Sequence, residues 1–254
     1  MNDERLTAFK RLLDIMDSVR DKCPWDKKQT FASLRYLTIE ETYELSDAIL
    51  EKKYDDVAKE LGDLMLHIVF YAKIGQEENI FTITDVLNGI SEKLVRRHPH
   101  IFGDIQVQNE DEVKNNWERI KLKEGNSSVL GGVPLSLPAM VKAYRIQEKA
   151  RGIGFDWENT EQVIEKVQEE ILEFCHEKEL GSPKMEDEFG DLLFALINFA
   201  RFIHINPEDA LEKTNRKFIK RFQYMEQRAK QQKRALSQMS LDEMETLWQE
   251  AKKV

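Results

Sequence analysis

An all-α protein made of two tandem copies of one helical domain is what this sequence predicts, and three observations predict it. Apolar residues recur at helical spacing, as in Phe9, Leu12, Leu13 and Met16 or Leu61, Leu64, Met65 and Ile68, the rhythm that gathers side chains on one helix face. The alternation that marks a half-buried strand is sustained nowhere. A set of landmarks occurs twice, in the same order and at nearly the same spacing.

The first landmark is Glu40-Glu41-Thr42-Tyr43-Glu44, answered by Glu169-Glu170-Ile171-Leu172-Glu173, so that Glu-Glu-x-x-Glu stands in both copies. Twenty residues after Glu40 comes Glu60-Leu61-Gly62-Asp63, and nineteen after Glu169 comes Glu188-Phe189-Gly190-Asp191, each followed by an apolar run. Lys93 and Arg97 are answered by Lys217 and Arg221. Asp111-Glu112 before Trp117 is answered by Asp242-Glu243 before Trp248. The reading is two repeats, 1–124 and 136–254, joined by a linker over 125–135 that holds Gly125-Asn126-Ser127-Ser128 and Gly131-Gly132-Val133-Pro134, a turn-rich composition.

Each repeat should hold about four helices, because the prolines at 24, 99, 134, 138, 183 and 207 all fall between periodic segments. Thr82-Ile83-Thr84-Asp85 and Ile205-Asn206-Pro207-Glu208 read as helix starts with a capping side chain. A length of 254 residues suits two cores better than one.

Composition narrows the function classes. With 41% hydrophobic and 33% charged residues, the chain reads as a soluble globular protein. Its longest apolar stretches, 64–72 and 192–200, fall short of the roughly 20 residues that span a bilayer. The first residues lack the apolar core of a secretory signal, so a cytoplasmic location is expected, with no membrane partner. Cys23 and Cys175 stand far apart and suggest neither a disulfide framework nor a zinc site. A formal charge of −9 disfavours a nucleic-acid polymer as partner. Small phosphorylated ligands stay open, because bound divalent cations invert the electrostatics of clustered carboxylates.

On a helix, residues three and four apart share a face, so Glu40, Glu41 and Glu44 converge, as do Glu169, Glu170 and Glu173, and as Glu60 does with Asp63. Like charges at these spacings repel, and something should compensate. A solvated acidic face is the bland reading of one such pattern. Asp63 and Asp191, however, directly precede the apolar runs Leu64-Met65-Leu66 and Leu192-Leu193-Phe194, which puts the acids at the edge of core-facing segments. Carboxylates in such places need pairing or a metal, and an all-oxygen donor set suits Mg²⁺ or Mn²⁺. A redox di-metal bundle is the nearest rival, and Glu173-Phe174-Cys175-His176 fits its Glu-x-x-His pattern. The first repeat offers Glu44-Leu45-Ser46-Asp47 there instead, and the later motif ends in Asp63 or Asp191 where that site would want His.

Lys217 and Arg221 project from one helix face, as do Lys93 and Arg97, and can neutralise phosphate oxygens. Beyond Arg228 a solvated basic helix is the better reading. Lys184 precedes Glu188 by four, which sets its ammonium beside the acidic cluster, whereas the first repeat has Asp56 there. Trp117 and Trp248 each either anchor a terminal helix or offer a stacking surface to a nucleobase.

Cys23-Pro24-Trp25-Asp26, the paired acidic motifs, Arg97-His98-Pro99-His100-Ile101-Phe102 and Gly154-Phe155-Asp156-Trp157 together resemble a full-length MazG protein over nearly the whole chain. The resemblance implies a nucleoside triphosphate pyrophosphohydrolase that cuts NTP and dNTP to a monophosphate and pyrophosphate with Mg²⁺. It implies a homodimer whose four-helix bundles form from both subunits, with most of the activity in the C-terminal repeat. It implies Glu170, Glu173, Glu188 and Asp191 as metal ligands, with Glu169 orienting water or a further ion, and Lys184, Lys217, Arg221 and Trp248 as nucleotide contacts. Glu41, Glu44, Glu60 and Asp63, with Lys93, Arg97 and Trp117, form the equivalent set of a second site. The competing class is a helical dimerisation or regulatory module that binds nucleotides without cleaving them.

Overall fold

A computed structural model describes residues 3–107, 109, 112, 113, 116, 117, 120, 124 and 128–253. Among these the only regular elements are helices, as the apolar rhythm predicts. The landmark Asp111 and the linker residues Gly125, Asn126 and Ser127 lie outside the described residues. The chain forms two compact units, Met1–Val107 and Gln108–Val254.

The first unit holds α1 (Glu4–Lys22), α2 (Phe31–Glu51), α3 (Tyr54–Glu77), α4 (Ile83–Arg97) and the single turn α5 (Pro99–Phe102). Asp3 caps α1 by accepting from the Arg5 amide, and Thr30 caps α2 through a reciprocal exchange with Ser33. Thr82 does the same for α4 with Asp85, as its sequence suggests. α2 and α3 pair along their lengths and α1 packs on α3. Their core is Met16, Leu34, Val69, Phe70 and Ile74, lined by Phe9, Leu12, Leu13, Phe31, Leu37 and Tyr71.

In the second unit α6 (Ala139–Arg151) packs on α8 (Met185–Phe202), which pairs with α7 (Thr160–Leu180). α9 (Pro207–Gln231) then meets α10 (Leu241–Ala251) over a core of Met225, Ala229, Met239 and Leu247. Asn159, Asn206 and Ser240 cap α7, α9 and α10. Pro207 opens α9 at the first helical position, where its missing N–H costs nothing.

The hairpins α2–α3 and α7–α8 are the duplicated elements, and they turn in the same way. Both first helices end on a left-handed residue, Lys52 at φ 57° and Gly181 at φ 60°. One expectation is altered here. The runs after Asp63 and Asp191 are partly open: Met65, Leu66, Leu193 and Phe194 are 40%, 38%, 43% and 42% exposed, and Ile68 and Leu196 further on and Leu61 and Phe189 just before the aspartates are exposed as well. The buried apolar residues of α3 begin further on, at Val69 and Phe70. Each hairpin has two apolar faces, and among the described residues one of them stays exposed.

Candidate metal centre

The acidic motifs meet across each hairpin. Glu41 comes from the middle of α2, and Glu60 and Asp63 come from the second and third turns of α3. One carboxylate oxygen of each lies within 4.8 Å of the others. Glu170 of α7 meets Glu188 and Asp191 of α8 in the same way. All six groups sit within helices, Glu188 in the first turn of α8.

Glu60 and Glu170 are 4% and 6% exposed, which is rare for a glutamate. In both, Oε1 accepts from a lysine and Oε2 is buried without a partner. A buried carboxylate oxygen left unsatisfied costs about 1–3 kcal/mol or more, and two further carboxylates beside it add repulsion. Burial pushes the Glu41 carboxyl above its usual range, and Asp63, Glu44, Glu60 and Glu40 push it further. Burial does the same at Glu188, followed by Glu173, Asp191, Glu170 and Glu177. Three clustered carboxylates, one of them with an orphaned oxygen, suit a hard divalent cation. Both clusters could therefore hold a metal ion.

Glu44 and Glu173 are exposed and stand outside the tight triads. Their charges still reach Glu41 and Glu188, and each faces the same space as a fourth carboxylate. Glu169 is exposed and accepts from Lys166 at 2.7 Å. His176 is exposed and takes no part in the triad, so the Glu-x-x-His reading gains no support from the geometry.

The cations are arranged differently from the expectation. Lys184 is the exposed residue just before α8, and it makes no described ion pair with the acids. The ammonium that reaches the C-terminal cluster is that of Lys166, 2.7 Å from both Glu169 and Glu170. In the first unit it is that of Lys59, 2.9 Å from Glu60. The sequence carried a signal for Lys166, which precedes Glu169 and Glu170 by three and four residues. Lys59 is adjacent to Glu60, and helical periodicity does not pair neighbours.

Trp248 is part of the packing that holds the terminal helix α10. It packs against the α9–α10 core, with the Phe218 ring centroid 5.1 Å away and the Arg221 guanidinium 5.6 Å above its ring. Lys217 is exposed on the same helix. Lys93 and Arg97 lie on α4, and Trp117 is helical and 38% exposed.

A family model described as the MazG nucleotide pyrophosphohydrolase domain matches residues 29–102 and, a second time, residues 158–225, together more than half of the chain. The chain belongs to the MazG family. Each match contains one hairpin with its acidic triad, so both are MazG repeats. The C-terminal match also contains Lys217 and Arg221, while Trp117 and Trp248 fall outside the matched segments.

The chain is similar to MazG relatives over almost its whole length. It is 44% identical to the nucleoside triphosphate pyrophosphohydrolase of Escherichia coli K12, covering 98% of each chain. It is 43% identical to the nucleoside triphosphate pyrophosphohydrolase/pyrophosphatase MazG of Thermotoga maritima, covering 96% of this chain and 95% of that one. It is 51% identical to the uncharacterized protein YabN of Bacillus subtilis, covering 91% of this chain and 48% of the relative.

Proposed function

We propose that this protein is a nucleoside triphosphate pyrophosphohydrolase, converting NTP and dNTP to the monophosphate and pyrophosphate with Mg²⁺. The observation that carries this reading is the buried Glu170 oxygen without a partner, facing Glu188 and Asp191 in a chain of the MazG family. The names of the full-length relatives point the same way.

In this reading Glu170, Glu173, Glu188 and Asp191 hold the ion, and Mn²⁺ is a possible substitute. Bound there, the ion supplies Lewis-acid polarisation of phosphoryl oxygens and a bound water of lowered pKa. Glu169 orients the attacking water. Lys217, Arg221 and, from the start of α8, Lys184 neutralise phosphate oxygens as negative charge develops on the departing pyrophosphate. Trp248 contacts the nucleotide, and Arg221 stacked on it gains a fixed direction. Water adds to phosphorus and the α–β anhydride bond breaks. The N-terminal set of Glu41, Glu44, Glu60 and Asp63, with Lys93, Arg97 and Trp117, forms a second site.

The chain is read as two domains, 1–124 and 136–254, with a linker between them, in a cytoplasmic homodimer. Matching strips support the dimer: Leu61, Met65 and Ile68 in one copy and Phe189, Leu193 and Leu196 in the other are exposed at corresponding positions. A second chain laid on such strips completes a four-helix bundle. No helix among the described residues is long and apolar enough to cross a membrane.

The test is product analysis. Incubation with each nucleoside triphosphate should release monophosphate and pyrophosphate in equal amounts with Mg²⁺ and neither with EDTA. Nucleotide binding without either product would replace the enzyme with a nucleotide-binding regulatory module.

A further inference from the structure

The helix that carries Asp191 also walls a cavity. Phe194 and Asn198 follow Asp191 by three and seven residues, on one face of α8. Both line a space of about 660 Å³ within the second unit, together with Gln147 of α6 and Trp157 of the loop before α7. Seven residues of helix span about 10 Å, comparable to the reach from the phosphates of a nucleotide to its base. The volume lies within the range typical of small-ligand clefts, roughly 300–1,000 Å³.

The first unit repeats the arrangement. Leu66 and Phe70 follow Asp63 by three and seven, and they line a smaller cavity of about 240 Å³ beside Trp25. The two cavities thus use the same helix positions relative to the same aspartate. Their chemistry differs, because the Phe70 position of the first copy is Asn198 in the second.

In the second copy the polar groups are oriented and only partly used. Gln147 is 7% exposed; its Nε2 donates to the Phe194 carbonyl at 2.8 Å, and its Oε1 is buried with no partner. The Arg201 guanidinium donates to Asn198 Oδ1 at 2.8 and 3.1 Å. Asp156 pairs with the same guanidinium and so anchors it. Arginine cannot accept, so the Asn198 amide is fixed with its Nδ2 as the remaining donor. One acceptor and one donor therefore belong to residues that line the same space as Phe194 and the indole of Trp157. A flat heterocycle that carries an N–H beside a ring nitrogen or carbonyl matches this set.

We propose that this cavity receives the nucleobase of the substrate, with Gln147 and Asn198 reading its hydrogen-bonding edge and Phe194 and Trp157 covering its faces. The proposal rests on the pyrophosphohydrolase reading for the identity of the ligand. It makes the C-terminal copy the base-selective one, because the cavity of the first copy presents Leu66 and Phe70 at the corresponding helix positions.

The experiment compares wild type with Gln147→Met and Asn198→Leu in the full chain, with helix content checked by circular dichroism. For the four common ribonucleoside triphosphates, kcat/KM should fall about ten-fold or more, chiefly through KM, and the ranking of bases should change. The inhibition constant of inorganic tripolyphosphate, which has no base, should stay within two-fold. Unchanged KM and ranking in both variants would overturn the proposal, as would a ranking erased only by Trp248→Leu. Calorimetric binding of the four nucleoside 5′-monophosphates separates this result from the parent reading. If wild type releases no pyrophosphate, binding that weakens in the two variants still supports the cavity, and binding indifferent to both variants refutes it.

Discussion

The ammonium of Lys166 lies 2.7 Å from Glu170 Oε1 and 2.7 Å from Glu169 Oε1. Those two hydrogen bonds hold the Lys166 ammonium charged beyond its ordinary range. A positive group thus occupies one side of the carboxylate that is proposed to hold Mg²⁺. Lys166→Met should remove that competition and tighten Mg²⁺ binding to the nucleotide-free protein by about three- to five-fold, the size of a screened charge contact. Titration calorimetry with MgCl₂ measures it, and weaker Mg²⁺ binding would show that Lys166 supports the cluster.

The raised carboxyls of Glu41 and Glu188 set a pH dependence. A carboxyl raised in the folded state supports the fold below its ordinary value of 4.5. That support is lost as pH climbs through the raised value, where the folded chain must ionise groups packed against like charges. The metal-free protein should therefore lose melting temperature as pH rises above about 4.5 on account of these groups. Millimolar Mg²⁺ should raise the melting temperature at pH near 7.5 and have little effect near pH 4.5, where the acids are partly protonated. An equal gain at both pH values would separate metal binding from these carboxylates.

Asp156 and Arg201 form a largely buried ion pair, with side chains 18% and 5% exposed. Asp156→Asn should cost about 3 kcal/mol in urea unfolding, because it strands a buried guanidinium. Replacing both residues with leucine and methionine should recover most of that loss. A cost no larger than that of a surface substitution would mean that Asn198 alone satisfies Arg201.

The two hairpin turns supply a repair. Gly181 adopts its left-handed φ of 60° without penalty, while Lys52 adopts φ 57° at the same place in the first copy. Lys52→Gly should stabilise the first unit by about 0.5–1 kcal/mol. Denaturant unfolding checks it, and destabilisation would mean that the lysine stem contributes packing that outweighs the backbone strain.

Most of the fold and the position of the acidic sites were legible because both depend on periodicity. The i, i+3, i+4 rule brings Glu41 and Glu170 to the faces they occupy, and the repeat pairs each hairpin with its counterpart. Thr82 and Asn206 were readable as caps because their mechanism is local. What was not legible depends on the meeting of distant segments. Gln147 and Asn198 are polar residues on helices, unremarked by any spacing, until α6 and α8 pack and enclose them. The apolar runs after Asp63 and Asp191 read as core because a sequence does not say whether the surface that covers them belongs to the same chain. Lys184 read as the cation of the cluster by helix spacing, and its carbonyl does accept from the Glu188 amide one turn on, but the lysine that pairs with Glu170 is Lys166.

The central claim is that the C-terminal carboxylate cluster holds the ion that drives hydrolysis. Its most direct test is pyrophosphate release from each nucleoside triphosphate by wild type, Glu44→Gln, Glu173→Gln and Asp191→Asn, with Mg²⁺ and with EDTA, all four proteins retaining their helix content. The account predicts metal-dependent release that survives Glu44→Gln and disappears in Glu173→Gln and Asp191→Asn. Full activity in both C-terminal variants would contradict it.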